Sequence, residues 1–431
     1  MLALESPDTR TEALAWVRAV ELRRLDEQCA TYLDYGGAAP YPDSLVRRHA
    51  QLLRGRTLGN PHSTNPAARA ATDDVAAAKH HILRYFDADP ASYDVCLVAN
   101  CSAGIRLVGE SFRWDSAAVY ALTADNHNSV NGVRELARAR GARVQYLPLD
   151  ACLRVPRFEL PRLNGARGLF AFPAQSNFSG VRHPLELVRE AQRQGYAVLL
   201  DAAAYAPTSP LSLRDVPADF VPVSFYKMFG YPTGAGALIA RRESLRLLQR
   251  PWFAGGTVEF ASVLHDRYQL KSDMEGFEDG TVNFLAASAI PLGLDFMRRI
   301  DPAIVRAHVE TLTDHLLCWL DALRHSNGRP LIRLYGPGDT DRRGGTVAFD
   351  VVDRSGRTLD CEQIVTLAGE SRISLRSGCF CNPGAAEYAL GADAATLRRG
   401  ALRASLGYGS NYADVDALGT FLSQFNTGDL S

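Results

Sequence analysis

From about Tyr32 to Ala240 the chain alternates short apolar runs with helical stretches, and this rhythm restricts the fold more than any other feature of the 431 residues. The runs 95–100 (VCLVAN), 117–122 (AAVYAL), 143–149 (RVQYLPL), 168–174 (GLFAFPA) and 197–205 (AVLLDAAAY) read as buried strands. Between several of them lie helical segments such as NGVRELARARG and PLELVREAQRQG. Strands and helices in this order predict an α/β fold whose parallel sheet is covered on both faces.

After about Ala289 the pattern changes. A longer helical region (AIPLGLDFMRRI, then VRAHVETLTDHLLCWLDALRH) leads to short strands around GGTVAFDVV and ISLRSG. The expectation is a large domain over 30–289 and a smaller α+β domain over 290–431, joined by the N-terminal helix of residues 1–29. A chain of this length can build both cores.

Composition narrows the functional classes. Formal net charge is −1 and no long basic run occurs, which argues against a nucleic-acid partner and against an acidic membrane surface. The N-terminal 28 residues read as an amphipathic helix rather than a signal peptide, and no apolar stretch reaches a membrane-spanning length. A cytoplasmic location is the resulting expectation. Eight cysteines are too dilute for a disulfide scaffold. Cys29, Cys96, Cys101, Cys152, Cys318 and Cys361 read as small apolar side chains. Cys379 and Cys381 form a CxC pair, but no second Cys/His pair lies nearby in sequence, so no metal is expected.

In open parallel sheets ligands sit at the carboxyl ends of strands, and three groups there carry chemistry. VANCSAG leaves a strand and opens a helix, so the backbone N–H groups near Cys101, Ser102 and Ala103 can cradle a phosphate. Taken alone, a serine at that place is an N-cap. Asp201 ends the apolar run AVLLD, and a buried acid needs a cation or donors. It is either a helix cap or the partner of a pyridinium nitrogen. Lys227, in VPVSFYKMFGYPTGAGALIA, sits among apolar and aromatic residues with Ser224 and Tyr226 beside it. Such surroundings lower an amine's pKa and free it for Schiff-base chemistry; taken alone, the lysine is a snorkelling surface residue. Strand–Asp, then strand–Ser-x-x-Lys, then a glycine-rich turn is a far more specific combination.

With these stretches, others complete a pattern from residue 32 to 417: YLDYGGAAP, LGNPHS, DNHNSVNGVRELA, FPAQSNFSG, FAGGTVEF, FEDGTVNFL, RGGTVAFD, ISLRSGCFCNPGA and RASLGYGSNYADVDAL. The chain resembles the class V aminotransferase family, and within it the cysteine desulfurases and the desulfurase domain of molybdenum cofactor sulfurases. SFYK-x-FG-x-PTG and GCFCNPGA resemble the sulfurase branch in particular. The resemblance implies a fold-type-I pyridoxal 5'-phosphate enzyme, with a mostly parallel seven-stranded sheet and a small α+β domain. It makes Lys227 the Schiff-base lysine and Asp201 the partner of the ring nitrogen. It stacks His127 on the ring, sets Asn177 at the phenolic oxygen, and gives Ser102 and Ser224 to the phosphate. Thr257 resembles a residue that reaches the phosphate from the neighbouring subunit, so a homodimer is implied. Arg403 matches the arginine that grips the substrate α-carboxylate, with Arg376 near the same site, and Cys381 matches the nucleophile that takes sulfur as a persulfide.

Where many cysteine desulfurases carry Gln and His, this chain has Ala204 and Tyr226, both at home in the sulfurase branch. The chain stops at Ser431, and no second domain of the eukaryotic sulfurase kind is expected, so molybdenum cofactor is not implied as the acceptor. The substrate is expected to be cysteine, desulfurated to alanine. A cysteine S-conjugate, split by β-elimination in a C–S lyase reaction, is the alternative with the same cofactor residues. A catalytically silent sulfur-transfer scaffold is the third reading, opposed by the intact Lys227, Asp201 and His127 set.

Overall fold

The computed structural model describes residues 12–393 and 398–427. Seven strands form the main sheet: β1 (Tyr93–Val98), β2 (Val119–Thr123), β3 (Arg143–Leu147), β4 (Gly168–Pro173), β5 (Tyr196–Asp201), β6 (Phe220–Ser224) and β7 (Gly236–Arg241). Their order is β1-β7-β6-β5-β4-β2-β3, and only β7 runs against its neighbours. All five apolar runs of the sequence are strands, and β2, β4, β5 and β6 are buried along their whole length. Helices on both faces leave no solvent-facing side, which is why these strands read as continuous apolar runs.

Helix α1 (Asp43–Gly55) precedes α2 (Pro66–Tyr85), which starts where the Asn65 side chain accepts the Ala68 N–H and Pro66 takes the first helical position. Its apolar residues Ala71, Val75, Ala78 and Ile82 recur at helical spacing and are buried. That face meets β1 and the later helix Ile290–Ile300, as the spacing of its apolar residues implies. Helix α3 (Cys101–Ser111) leaves β1, and the short α4 (Phe225–Phe229) leaves β6. Beyond them lie α5 (Ile290–Ile300) and α6 (Pro302–Ala322), where the sequence pattern predicts helices.

A hairpin, β8 (Val258–Ser262) and β9 (Arg267–Leu270), stands apart from both sheets. The second sheet is antiparallel, in the order β10-β11-β13-β12, from β10 (Ile332–Tyr335), β11 (Thr346–Val351), β12 (Arg376–Gly378) and β13 (Ala401–Ser405). Helices α7 (Cys361–Glu370), α8 (Pro383–Leu390) and α9 (Tyr412–Ser423) complete this region. One apolar cluster runs without a break from Val95 and Val198 under the main sheet to Val347 and Phe349 in the small one. Burying each such side chain is worth about 1.5–3 kcal/mol, so the continuous cluster fixes the small sheet against the carboxyl ends of the large one.

The predicted N-terminal amphipathic helix lies partly outside the described residues. From residue 12 it consists of short turns, including Val17–Glu21 and Arg24–Glu27, tied to α9 by an Arg18–Asp414 ion pair of 3.1 Å. Among the described residues no helix is long and apolar enough to cross a membrane.

Candidate active site

The strands β1, β2, β4, β5 and β6 all point their carboxyl ends at one place, where Cys101, Ser102, His127, Asn177, Asp201, Ser224, Tyr226 and Lys227 line a single pocket. Lys227 lies in the first turn of α4, three residues past Ser224. The helix stops at Gly230, whose φ of 75° no L side chain adopts readily, and a Cβ there would lie 2.5 Å from Ala39 O and from Tyr41 N. This glycine therefore lets the lysine turn press against the segment 39–41, which fixes where the amine emerges. Burial lowers the Lys227 pKa, against the opposing pull of Asp201.

Asp201 ends β5, buried, with Oδ1 accepting the Ala203 N–H at 2.9 Å and the Cys101 thiol at 3.4 Å. No helix directly follows Asp201, so the bond to Ala203 closes a turn and is not the helix cap that the sequence offers as one reading; the carboxylate also faces the pocket. His127 caps the helical turn Asn128–Asn131, its Nδ1 accepting the Ser129 N–H at 3.1 Å. Burial lowers its pKa, so the neutral ring is favoured. Since Nδ1 is the acceptor, the proton of the neutral ring sits on Nε2.

The expected cradle at the start of α3 is partly occupied by the protein itself. The Cys101 N–H donates to Ser224 Oγ at 2.8 Å, and the Ala103 N–H donates to the Asn100 side chain at 3.0 Å. Asn100, not Ser102, is the N-cap. Ser102 instead turns its hydroxyl outward to Ser129 Oγ at 2.5 Å. Its side chain lines the pocket and is not spent on the helix cap.

A second group of the sequence-predicted residues lies on and beside the small sheet, outside the residues that line the pocket. Arg376 on β12 and Arg403 on β13 are cross-strand partners. Both bind Asp34: Arg403 Nη2 lies 2.9 Å from Oδ1 and Arg376 Nη2 2.5 Å from Oδ2. Arg403 also donates to Asn177 O at 3.1 Å and lies 4.6 Å above the Phe380 ring. Its burial lowers its pKa, while hydrogen bonding to Asp34 raises that of Arg376.

Cys381 is exposed, in a turn where Phe380 and Cys381 have φ of 55° and 56°. It lies within electrostatic range of Lys227, Arg376 and Arg403. Gly378 and the Pro383-Gly384 pair mark a loop in the sequence; the structure keeps a short turn at Cys381 and corrects the loop's far end. Pro383 and Gly384 open helix α8, capped by the fully buried Asn382. Asn177 donates to Phe380 O at 2.7 Å, the Asn128 N–H to Cys381 O at 2.6 Å, and Asn382 to Asp125 O at 2.7 Å and to Asn177 Oδ1 at 2.9 Å. The turn is pinned to the main sheet.

Thr257 does not line the pocket of its own chain. It is buried at the foot of the β8–β9 hairpin, where its hydroxyl exchanges hydrogen bonds with Ala254. Sequence reasoning missed Asp34, Ser129 and Asn382. The signals were present for two: Asn before Pro is a helix start, and Asp34 precedes a double glycine.

The class V aminotransferase family model matches residues 31–418. The molybdenum cofactor sulfurase of Arabidopsis thaliana is 33% identical over 93% of this chain and 56% of its own length. That of Homo sapiens is 33% identical over 95% of this chain and 51% of its own. The chain therefore spans about half the length of the curated relatives it matches. Among solved structures, a cysteine desulfurase from Thermococcus onnurineus NA1 superposes with a TM-score of 0.81 at 23% identity, covering 99% of both chains. A cysteine desulfurase from Escherichia coli gives 0.76 at 24% identity, covering 95% of this chain and 98% of its own. These two likenesses bear on the fold.

Proposed function

Since the chain belongs to the class V aminotransferase family, we propose that it is a pyridoxal 5'-phosphate enzyme cleaving the C–S bond of L-cysteine, with Cys381 receiving the sulfur and alanine released. One observation carries this reading. Lys227, Asp201 and His127 converge on one pocket whose wall residue Asn177 also holds the Cys379–Asn382 turn.

The residues fit that cofactor on three counts. A buried amine with a lowered pKa suits imine formation with an aldehyde. A buried carboxylate suits a protonated ring nitrogen, and the hydroxyls of Ser102 and Ser224 with the start of α3 suit a phosphate. When bound, pyridoxal phosphate supplies an electron sink that weakens bonds at the substrate's α- and β-carbons.

The chain's own residues then divide the work. Lys227 holds the cofactor and carries protons to and from the substrate carbons. Asp201 would keep the ring nitrogen charged, His127 would pack on the ring, and Asn177 would meet its phenolic oxygen. Arg403 binds the α-carboxylate through a fixed guanidinium fork, with Arg376 beside it. The Cys381 thiolate attacks the substrate sulfur, so that an S–S bond forms as the C–S bond breaks. The three-carbon remainder takes up a proton and leaves as alanine.

We further propose a homodimer formed through the β8–β9 hairpin; the Thr257 hydroxyl, buried and bonded to Ala254, is not free to reach the partner's phosphate as the resemblance implies. The hairpin and its flank expose Val263 (98%), Leu264 (92%), Trp252 and Phe260, an apolar group that a second copy would cover. All eight cysteines are free, and an active thiol needs reducing surroundings, which supports the cytoplasm. Residues 30–289 would serve as the cofactor-binding domain. The deciding experiment incubates the pure protein with cysteine and with S-alkyl cysteines. Alanine from cysteine supports the desulfurase; pyruvate from the S-alkyl compounds with no alanine from cysteine overturns it in favour of the lyase.

A further inference from the structure

Two arginines facing each other in register across β12 and β13 repel. Asp34 stands between them, and the three charges sum to one positive. Its backbone is fixed beside β13 by a bridge to Ser405, and Gly36, two residues on, donates its N–H to Ser405 Oγ at 2.7 Å. Space for the three side chains comes from the glycine pair. A Cβ on Gly37 would lie 2.5 Å from Asp34 Oδ2 and 2.7 Å from Arg376 Nη2, and one on Gly36 would lie 3.0 Å from Arg403 Cζ.

Asp34 treats the two arginines unequally. It fills the fork of Arg376, whose Nε lies 3.1 and 3.0 Å from the two carboxylate oxygens and whose Nη2 lies 2.5 Å from Oδ2. Arg403 gives it Nη2 alone, and the buried Arg403 Nε has no partner. One guanidinium is thus closed by the protein's own carboxylate, while the other retains unmet capacity for a second.

We propose that Asp34 is a specificity-determining residue: by closing the Arg376 fork and cancelling one positive charge, it makes the site select amino acids with one carboxylate and a neutral side chain over those bearing a second anionic group. The inference rests on the reading of Arg403 as the carboxylate-binding arginine. Cysteine and neutral thioethers fit the selected class; aspartate and cysteine sulfinate do not.

The test uses the cofactor-loaded enzyme and non-desulfurating probes. Dissociation constants of L-alanine and L-aspartate are read from the change in visible absorbance on binding, for the wild type and for Asp34→Asn, Asp34→Glu, Arg376→Gln and Arg403→Ala. In Asp34→Asn the aspartate-to-alanine affinity ratio is expected to rise roughly tenfold or more, the effect of one partly screened charge at this range. Asp34→Glu keeps the charge and is expected to keep the wild-type ratio, which a merely structural role for Asp34 would not do. An unchanged ratio in Asp34→Asn, or the same rise in Asp34→Glu, overturns the proposal. If Asp34→Asn does not fold, the surface-reaching Arg376→Gln decides. There the freed Asp34 charge should lower the ratio, and a ratio equal to or above wild type overturns it. Arg403→Ala separates the two layers. Unchanged binding of both ligands there defeats the functional reading itself, whereas lost binding there with an unmoved Asp34→Asn ratio defeats only the role of Asp34.

Discussion

The two halves of the site control charge by different means. In the strand-end half, Lys227, Asp201 and His127 follow β6, β5 and β2, strands buried along their whole length, and burial itself lowers the pKa values of the lysine and the histidine. In the sheet-edge half, pairing does the work: Arg376, half exposed, and Arg403, buried, are both held by Asp34. The first arrangement makes an amine easier to deprotonate by withholding water. The second keeps a guanidinium charged in a dry place by giving it a carboxylate. A buried amine can lose its proton; a guanidinium cannot, so it needs a partner.

Substitutions test this division. The largest effect is expected from Lys227→Ala, which should abolish turnover and the visible absorbance of lysine-held cofactor. A reconstituted variant with the wild-type spectrum would break the assignment of the strand-end half. Cys381→Ser should reduce alanine formation from cysteine to background while cofactor binding and absorbance stay as in the wild type. Sustained alanine production would remove the persulfide route. Asp201→Asn should still bind cofactor but turn over on the order of 10²–10³-fold more slowly, as when one member of a buried charge pair is lost. Near-normal turnover would leave Asp201 only its bond to Ala203. Arg403→Ala should weaken cysteine binding about thirtyfold or more, since truncating a buried charge pair costs about 2 kcal/mol at the least, with cofactor affinity little changed. Equal losses for both ligands would mean that the halves are not separable. The smallest effect is expected in stability. Asn382→Ala should cost about 1–3 kcal/mol in a denaturant titration through its lost cap and buried hydrogen bonds, and a midpoint unmoved from the wild type would show the turn to be held by other contacts.

The same division governs what could be read from sequence. The strand-end half is local: Asp201 sits on an apolar run and Lys227 three residues past Ser224, so periodicity and the strand-end rule place both. Asp34 and Arg403 are 369 residues apart, and no propensity or spacing joins them; only the family resemblance assigned Arg403, and it left Asp34 without a role. The cradle at α3 was half legible. The strand-to-helix turn was foreseen, but Asn100 won the cap because its side chain reaches the Ala103 N–H. The segment 379–384 looked like a loop because Gly and Pro ordinarily mark turns. Pro383 instead begins a helix, a place where its missing N–H costs nothing.

That pinned turn also settles who must move. A cysteine sulfur turns about one bond, between a few staggered positions, and the backbone carrying Cys381 is tied at Phe380, Cys381 and Asn382 to the main sheet. A sulfur atom loaded there, as proposed, would stay where the turn holds it. On this reading the distance is covered by the visitor: whatever collects the sulfur has to come to the exposed turn and bring its own reach.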